Sequence, residues 1–526
     1  MKKQFNITGV CIPEDHYMVD ISQKTAKILE MIAHGDYFVI NRPRQYGKTT
    51  TLFMLNQLLK HSGEYFPIEI SFEGMDEDRF RNANAFINEF ILILKEEFSA
   101  SGNQEMVKFI ESGPIPDSLN GLGLWLSELI VRIGKKIILM IDEIDKSSNN
   151  QLFLDFLGML RNKYLKRKTK GHVTFHSVIL AGVHDVKSLK LKLRPEDEAK
   201  YNSPWNIAVD FNVDLSFSAQ EIGTMLSQYA SERHVMLDIP FFSDRLFYYT
   251  SGYPFLVSYL CKMIDEKILP RKNANEWRPE DLEQAVHLTL KQNNTNFENL
   301  IKNLANHPEL YDLVFKLVMN EMEFSFNIYN SVIALGVLHG ILREESGKTR
   351  IHNRVYEQLI YNYMTSNLET SGSIDLSQYD TGSSYLGEGG GLNMEKVIRK
   401  FQQFMAEQYT VKDMGFIERN GRLLFLAFIK PIINGRGFDF KEVQVSEEKR
   451  LDVVITFDNR KYIIELKLWR GESYHREGIR QLSDYLDCQH ERNGYLLIYD
   501  LRKESGQTGK VETIELGNKK ILAAWV

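Results

Sequence analysis

FVINRPRQYGKTTT, Phe38 to Thr51, begins as an apolar run and ends in Gly-Lys-Thr. Tyr37-Phe38-Val39-Ile40 has the composition of a buried strand, and Thr50 to Leu59 (TTLFMLNQLL) that of a helix. A strand, a turn holding glycine and lysine, and a helix form the order of a phosphate-binding loop. In such a loop, turn N–H groups and the helix N-terminus face the phosphates. Gly47 permits close backbone approach, Lys48 pairs with the β/γ-phosphates, and the Thr49 hydroxyl ligates Mg²⁺. The usual pattern is Gly-x-x-x-x-Gly-Lys-Ser/Thr, and here Arg42 holds the first glycine's place. That glycine serves a tight turn. Arg42-Pro43-Arg44 can also turn, because Pro43 fixes its own φ. The expected nucleotide-binding residues are Arg44, Gln45, Tyr46, Gly47, Lys48, Thr49 and Thr50. For Arg44 two readings stand, a phosphate contact or a solvated loop residue.

A second stretch completes the site. KIILMIDEID, Lys136 to Asp145, is a continuous apolar run that ends in acids. Buried parallel strands read this way, and open α/β sheets bind ligands beyond their carboxyl ends. Asp142 is expected to join nucleotide and Mg²⁺ binding with Thr49, and Glu143 to polarise the attacking water. Pro67 to Phe72 and Val173 to Gly182 are further strand candidates.

The chain is 526 residues long, too long for one ordinary core, which predicts about three or four domains. It is 43% apolar and 25% charged, as soluble globular chains are. No apolar run approaches the ~20 residues of a membrane helix. The start, MKKQFNITGVCIPEDHY, lacks the apolar stretch of a signal peptide. Three cysteines, Cys11, Cys261 and Cys488, lie far apart without zinc spacing, so a reducing cytoplasm is expected. The net charge of −6 provides no global cationic field, so any nucleic-acid surface is local. One basic run, Arg161 to Lys170 (RNKYLKRKTK), reads either as a nucleic-acid track or as a solvated helix end.

NRPRQYGKTT, ILMIDEID and Ser251-Gly252-Tyr253-Pro254-Phe255-Leu256 resemble the AAA-like ATPases close to the STAND group. The resemblance covers roughly residues 15 to 365. It implies ATP and Mg²⁺ as cofactors, a Gly-x-Pro segment (Gly252, Pro254) near the nucleotide, a polar sensor such as His184, and assembly into a homo-oligomer. Ser218-Ala219-Gln220-Glu221 has capping-box spacing and opens a helical stretch like the lid of such ATPases. Helices over Leu310 to Met319 and Asn327 to Leu338, then a wing over Ile341 to His352, follow a winged-helix order. Its acidic residues favour packing over DNA binding. The expected organisation is an ATPase core over 1–215, a lid over 216–300, a winged helix over 301–367, a Ser/Gly-rich flexible linker over 368–393, and a further domain over 394–526.

In that last domain Met394 to Gln408 carries Val397, Ile398, Phe401, Phe404 and Met405 at helical spacing. Arg422 to Phe428 suits a helix or a strand. Phe438–Val445, Leu451–Phe457 and Lys461–Leu468 read as strands, with Asp458-Asn459-Arg460 as a hairpin turn. Glu465 and Lys467 are two apart on one strand, so they share a sheet face. With Asp452 on the neighbouring strand they are charges amid Ile and Leu, costly to bury without a partner. A divalent metal held by Asp452 and Glu465 supplies one, with Lys467 orienting the attacking water. The alternative is a surface ion pair. These residues, with Gln481 and Tyr485 in Gln-x-x-x-Tyr, resemble the PD-(D/E)xK nuclease superfamily. Residues 394 to 526 resemble the nuclease-like domain often fused to AAA-like ATPases in bacteria. Leu451 replaces the proline of the superfamily name, and Glu395, Glu407 and Glu442 are candidates for a further ligand.

The expected fold class is therefore α/β: a P-loop NTPase parallel sheet with helical lid and winged helix, plus a C-terminal restriction-endonuclease-like domain. The expected function is an ATPase whose nucleotide state gates a Mg²⁺-dependent nuclease acting on DNA. The alternative is a STAND-like ATP switch whose C-terminal domain only binds nucleic acid or a partner. No membrane partner is expected.

Overall fold

The structure is a computed structural model that describes residues 2–72, 77–80, 82–146, 150–183, 205, 207–272, 275–319, 322–370, 385, 391–408, 421, 424–426, 428–429, 432–433, 437–440, 453–457, 460–488, 491–500, 502 and 509–526. They form two compact units, one of residues 1–310 with 325–355, the other of residues 311–324 with 356–526. Among the described residues no helix is long and apolar enough to cross a membrane.

The first unit is built on four parallel strands, β1 (Tyr37–Asn41), β2 (Tyr65–Ser71), β3 (Lys136–Asp142) and β4 (Ser177–Gly182), in the order β1-β4-β3-β2. Val209 adds a single parallel bridge to Phe38 outside β1. Every residue of β3 after Lys136, and every residue of β4, is buried. Parallel strands covered on both faces need this unbroken apolar composition. The helices Ala83–Ala100, Leu119–Ile133 and Gln151–Lys170 contribute Phe90, Leu126 and Leu157 to the core formed with Leu139 and Leu180. Because the strands run parallel, Asn41, Ser71, Asp142 and Gly182 end at one edge, with Asn41 opposite Gly182 and Ser71 opposite Asp142.

The basic run forms the second half of the Gln151–Lys170 helix, and two of its cations are used inside the fold. Arg167 donates to the carbonyls of Phe175, His176 and Gly35, and Lys163 donates to the Gly123 carbonyl and Ser127 Oγ. With the Phe175 and His176 carbonyls taken by Arg167, β4 starts at Ser177 rather than at Val173.

Ser218 and Glu221 form the expected capping box on helix Ala219–Arg233. Helices Ile239–Thr250, Pro254–Met263, Pro279–Lys291 and Thr295–Asn306 follow. The expected helix from Asn327 begins instead at Ser331. The Asn330 side chain accepts from the N–H groups of Val332 and Ile333, and that cap fixes the start. The stretch expected as a wing is an antiparallel hairpin of β5 (Leu342–Glu345) and β6 (Lys348–Ile351).

The second unit holds a mixed sheet of β7 (Gly437–Phe440), β8 (Val453–Phe457), β9 (Arg460–Leu468), β10 (Asn493–Tyr499), β11 (Val511–Leu516) and β12 (Lys519–Trp525), ordered β11-β12-β10-β9-β8-β7. Strands β9, β10 and β12 are parallel; β7, β8 and β11 pair antiparallel. The helix Glu472–Cys488 crosses from β9 to β10 and buries Leu482, Tyr485 and Leu486 against Ile463, Leu496 and Ile498. In helix Met394–Gln408 all five periodic apolar residues are buried. The ambiguous stretch before β7 is helical at residues 424–426 and 428–429. Asp452, Glu442, His184, the hairpin positions Asp458 and Asn459, and most of the expected linker lie outside the described residues.

Gly252 closes the turn between helices Ile239–Thr250 and Pro254–Met263 at φ +71, and a Cβ there would lie 2.0 Å from the Phe217 carbonyl oxygen. The pairing it protects is Phe217 N–H to Gly252 O, 2.8 Å. Gly252→Ala is therefore expected to cost about 3 kcal/mol, read as a lower urea midpoint for the first unit.

Candidate functional site

The turn between β1 and the helix Lys48–Ser62 is shaped around one lysine. Lys48 is 7% exposed, and its ammonium donates to the carbonyls of Arg42 and Pro43, both at 2.9 Å. Burial lowers its pKa, while Asp145, Glu143 and Asp142 pull the other way. Gly47, the helix N-cap, sits at φ +79 with nothing within 4 Å of a notional Cβ, so backbone conformation rather than crowding calls for glycine. Thr49 Oγ1 donates to Asp142 Oδ2 at 2.7 Å, joining the helix to the end of β3. The other Asp142 oxygen accepts the Glu143 N–H at 2.9 Å, and Glu143 sits at φ +54. Asp145 accepts the Val183 N–H at 2.7 Å, which ties the acidic turn to the end of β4.

Arg42 points away from this cradle. Its guanidinium donates to the carbonyls of Val213 (2.7 Å) and Asn41 (2.9 Å) and lies 5.4 Å from the Phe211 ring centroid. Its N–H bonds the Gly182 carbonyl. Its φ is not positive, so the backbone here does not need glycine. Tyr46 is also turned inward at 5% exposed, its hydroxyl 2.6 Å from Ser216 Oγ and 3.2 Å from His352 Nε2. Burial, with Arg343 nearby, pushes the His352 pKa down to about 4, so the imidazole is neutral at pH 7. The Tyr253 ring meets Tyr46 edge-on, and its hydroxyl donates to the exposed Arg44's carbonyl. The Arg44 side chain is solvated.

Beside the loop lies a cavity of about 610 Å³. Gln45, Tyr46, Gly47, Thr50 and Thr51 border it on one side, and the other walls are mainly apolar: Ile7, Tyr17, Val19, Leu215, Phe217 and Pro254. The Cys11 N–H donates to Thr50 Oγ1 and secures the N-terminal wall. Sequence reasoning did not assign the N-terminal segment, Leu215 or Phe217 to the site. They are scattered ordinary residues brought together only by folding. Pro254 had a signal in its Gly-x-Pro spacing.

A family model described as an AAA-like domain matches residues 14–361. The chain belongs to this AAA-like family. No curated protein matches its sequence. Among solved structures it is similar to a Walker-type ATPase of Pyrococcus abyssi, at 14% identity and TM-score 0.47, covering 68% of this chain and 99% of that one. It is also similar to ORC2 of Aeropyrum pernix, at 12% identity and TM-score 0.38, covering 69% and 98% respectively. A RuvB variant of Thermotoga maritima matches at 12% identity and TM-score 0.34, covering 65% and 95%. The parallel sheet, the Lys48 turn and the Asp142 edge are thus parts of an AAA-like P-loop ATPase domain.

The second unit carries the other cluster. Glu465 is wholly buried, and Lys467 Nζ lies 2.9 Å from its Oε1. Both share the β9 face of Ile463, the face that the Glu472–Cys488 helix covers, and Gly478 of that helix packs on the Lys467 stem. Gln481 and Tyr485 follow Gly478 by three and seven residues, which places them on that same helix side. Tyr485 is 6% exposed and belongs to the core, while Gln481 is half-buried. Among the described residues no group of three or more His, Cys, Asp or Glu side chains is arranged to hold a metal.

Restoring the usual glycine in the AAA-like loop is expected to harm the fold. Arg42→Gly removes two charge-assisted hydrogen bonds and a ring contact, and should lower stability by about 2 kcal/mol or more. Thermal unfolding beside Arg42→Lys measures this, and an unchanged midpoint for Arg42→Gly contradicts the structural role.

Proposed function

We propose that the AAA-like domain binds and hydrolyses ATP with Mg²⁺. The observation that carries this is the Lys48 ammonium resting on two loop carbonyls beside the Thr49–Asp142 pair. A phosphate oxygen can take over from those carbonyls as the partner of Lys48. The Thr49 hydroxyl and Asp142 carboxylate are hard oxygen donors on one spot, a set that suits Mg²⁺. Bound there, Mg²⁺ supplies charge neutralisation on the phosphate oxygens. Gly47 and Thr50, with the N–H groups at the helix start, hold the phosphates. The apolar cavity takes the base, and Glu143 orients the attacking water.

The second unit is proposed as a metal-dependent nuclease acting on DNA. Glu465, with Asp452, would hold Mg²⁺, and Lys467 would orient water and steady the charge that develops on the phosphorus. A wholly buried carboxylate with a lysine at 2.9 Å supports this, because such a pair is costly to build without a task. Gln481 and Tyr485, on the same side of the covering helix as Gly478, would face it. Nucleotide state would gate the nuclease or the assembly of a homo-oligomer.

One observation favours a second reading. The Glu465–Lys467 ion pair balances its own charge, as a domain that only binds nucleic acid or a partner would allow. The AAA-like domain would then be an ATP-bound switch without turnover.

Glu143→Gln should abolish ATP turnover and retain ATP binding, whereas Lys48→Ala should lose both. Turnover that survives Glu143→Gln removes the hydrolytic assignment, and absence of turnover in the wild type moves the reading to the switch. Plasmid and linear DNA with Mg²⁺ or Mn²⁺ should be cleaved by the wild type and left intact by Glu465→Ala and Lys467→Ala. Cleavage unchanged by Lys48→Ala or ATP counts against gating.

A further inference from the structure

The parallel strands of the second unit end flush. Trp469, just after β9, donates its N–H to the Tyr499 carbonyl of β10, and Val526, just after β12, donates to Ile498. This edge gathers aromatic rings and cations into one strip. Lys467 Nζ lies 5.6 Å from the centroid of the Tyr474 ring, and the Arg470 guanidinium lies 5.9 Å from the same ring. Next along, Arg502 lies 5.0 Å from the Trp469 ring, Trp469 lies 5.6 Å from His475, and His475 lies 5.5 Å from Trp525. Lys510 closes the row, 4.7 Å from the Trp525 ring. Tyr474 is 37% exposed, and Arg470, Arg502 and Lys510 are exposed too.

Charge balance indicates which nucleic acid this strip fits. Arg502 is held bidentate by Asp500 (2.8 and 2.6 Å), and Lys510 lies 3.2 Å from Glu512. Glu472 is exposed at the start of the covering helix. A duplex tracked through its phosphates needs many uncommitted Lys and Arg side chains, and most cations here are committed to acids. An exposed ring above a lysine instead suits an unstacked base, whose π-face any aromatic can receive. Arg470 makes no ion pair among the described residues, so it is available to a flanking phosphate.

We propose that this edge binds a single-stranded polynucleotide, with one base stacked on Tyr474 above Lys467 and a neighbouring phosphate on Arg470. The proposal rests on the reading of the second unit as a nucleic-acid-processing domain and adds the strand state of its substrate and the residue that receives the base. A base fixed there brings the adjoining phosphodiester toward the Glu465–Lys467 pair, so unpaired ends or gaps are the expected substrates.

The test is fluorescence anisotropy of the full chain with labelled oligo(dT), oligo(rU) and a duplex of matching length, in EDTA and in Ca²⁺. Single strands should bind more tightly than duplex, and comparing the dT and rU arms assigns DNA or RNA. Tyr474→Ala should weaken single-strand binding by about 5- to 150-fold, the worth of one stacked base, while Tyr474→Phe stays close to wild type. Arg470→Ala should flatten the salt dependence by about 0.7 in slope. Tighter duplex binding, or single-strand binding that Tyr474→Ala leaves unchanged, overturns the proposal and spares the nucleic-acid reading. No binding to any probe overturns both.

Discussion

A lysine ammonium that water barely reaches must find oxygen somewhere, and in this chain it finds the carbonyls of its own turn. That requirement organises the first unit. The turn must curl so that Arg42 and Pro43 present their carbonyls to Lys48. Curling requires the left-handed backbone at Gly47, which starts the following helix beside the acids of β3. The Thr49–Asp142 hydrogen bond then locks helix to strand. Loop, helix and acidic edge thus form one electrostatic object, poised for an anion that can take over the role of the carbonyls.

A phosphate loop is usually kept tight by glycine at its first position. Here side chains keep it in place instead. Arg42 reaches outward to Val213 and Phe211, and Tyr46 reaches inward to Ser216, Tyr253 and His352. Two loop residues therefore tie the turn to residues 211–216 beyond β4, to Tyr253 and to His352 after β6. The neutral His352 fits this arrangement, because an imidazolium at full burial beside Arg343 would be costly.

In the second unit the same economy of position comes from strand period. Ile463, Glu465 and Lys467 lie on one β9 face, so the core begins apolar and becomes charged toward the strand's carboxyl end. The covering helix follows that gradient, with Leu482, Tyr485 and Leu486 over the apolar part and Gly478 over Lys467. A small residue at that point leaves room for the lysine stem to run beneath the helix.

Local patterns determined a good deal by themselves. Continuous apolar runs specified β3 and β4 because parallel strands bury both faces, and Gly-Lys-Thr after such a run placed the loop. Ser218 and Glu221 marked a helix start, and period two put Glu465 beside Lys467. These signals lie within a few residues of one another, where backbone geometry alone sets the outcome. Tertiary structure decided the rest. It tied Arg42 and Tyr46 of the loop to partners at 211–216 and 352 that are distant in sequence. It absorbed Arg167 and Lys163 of the basic run into backbone carbonyls, and it moved the start of β4 to Ser177. It also assembled the cavity from Ile7, Val19, Phe217 and Pro254, residues with no shared pattern, since a cavity is defined by what approaches across space rather than along the chain.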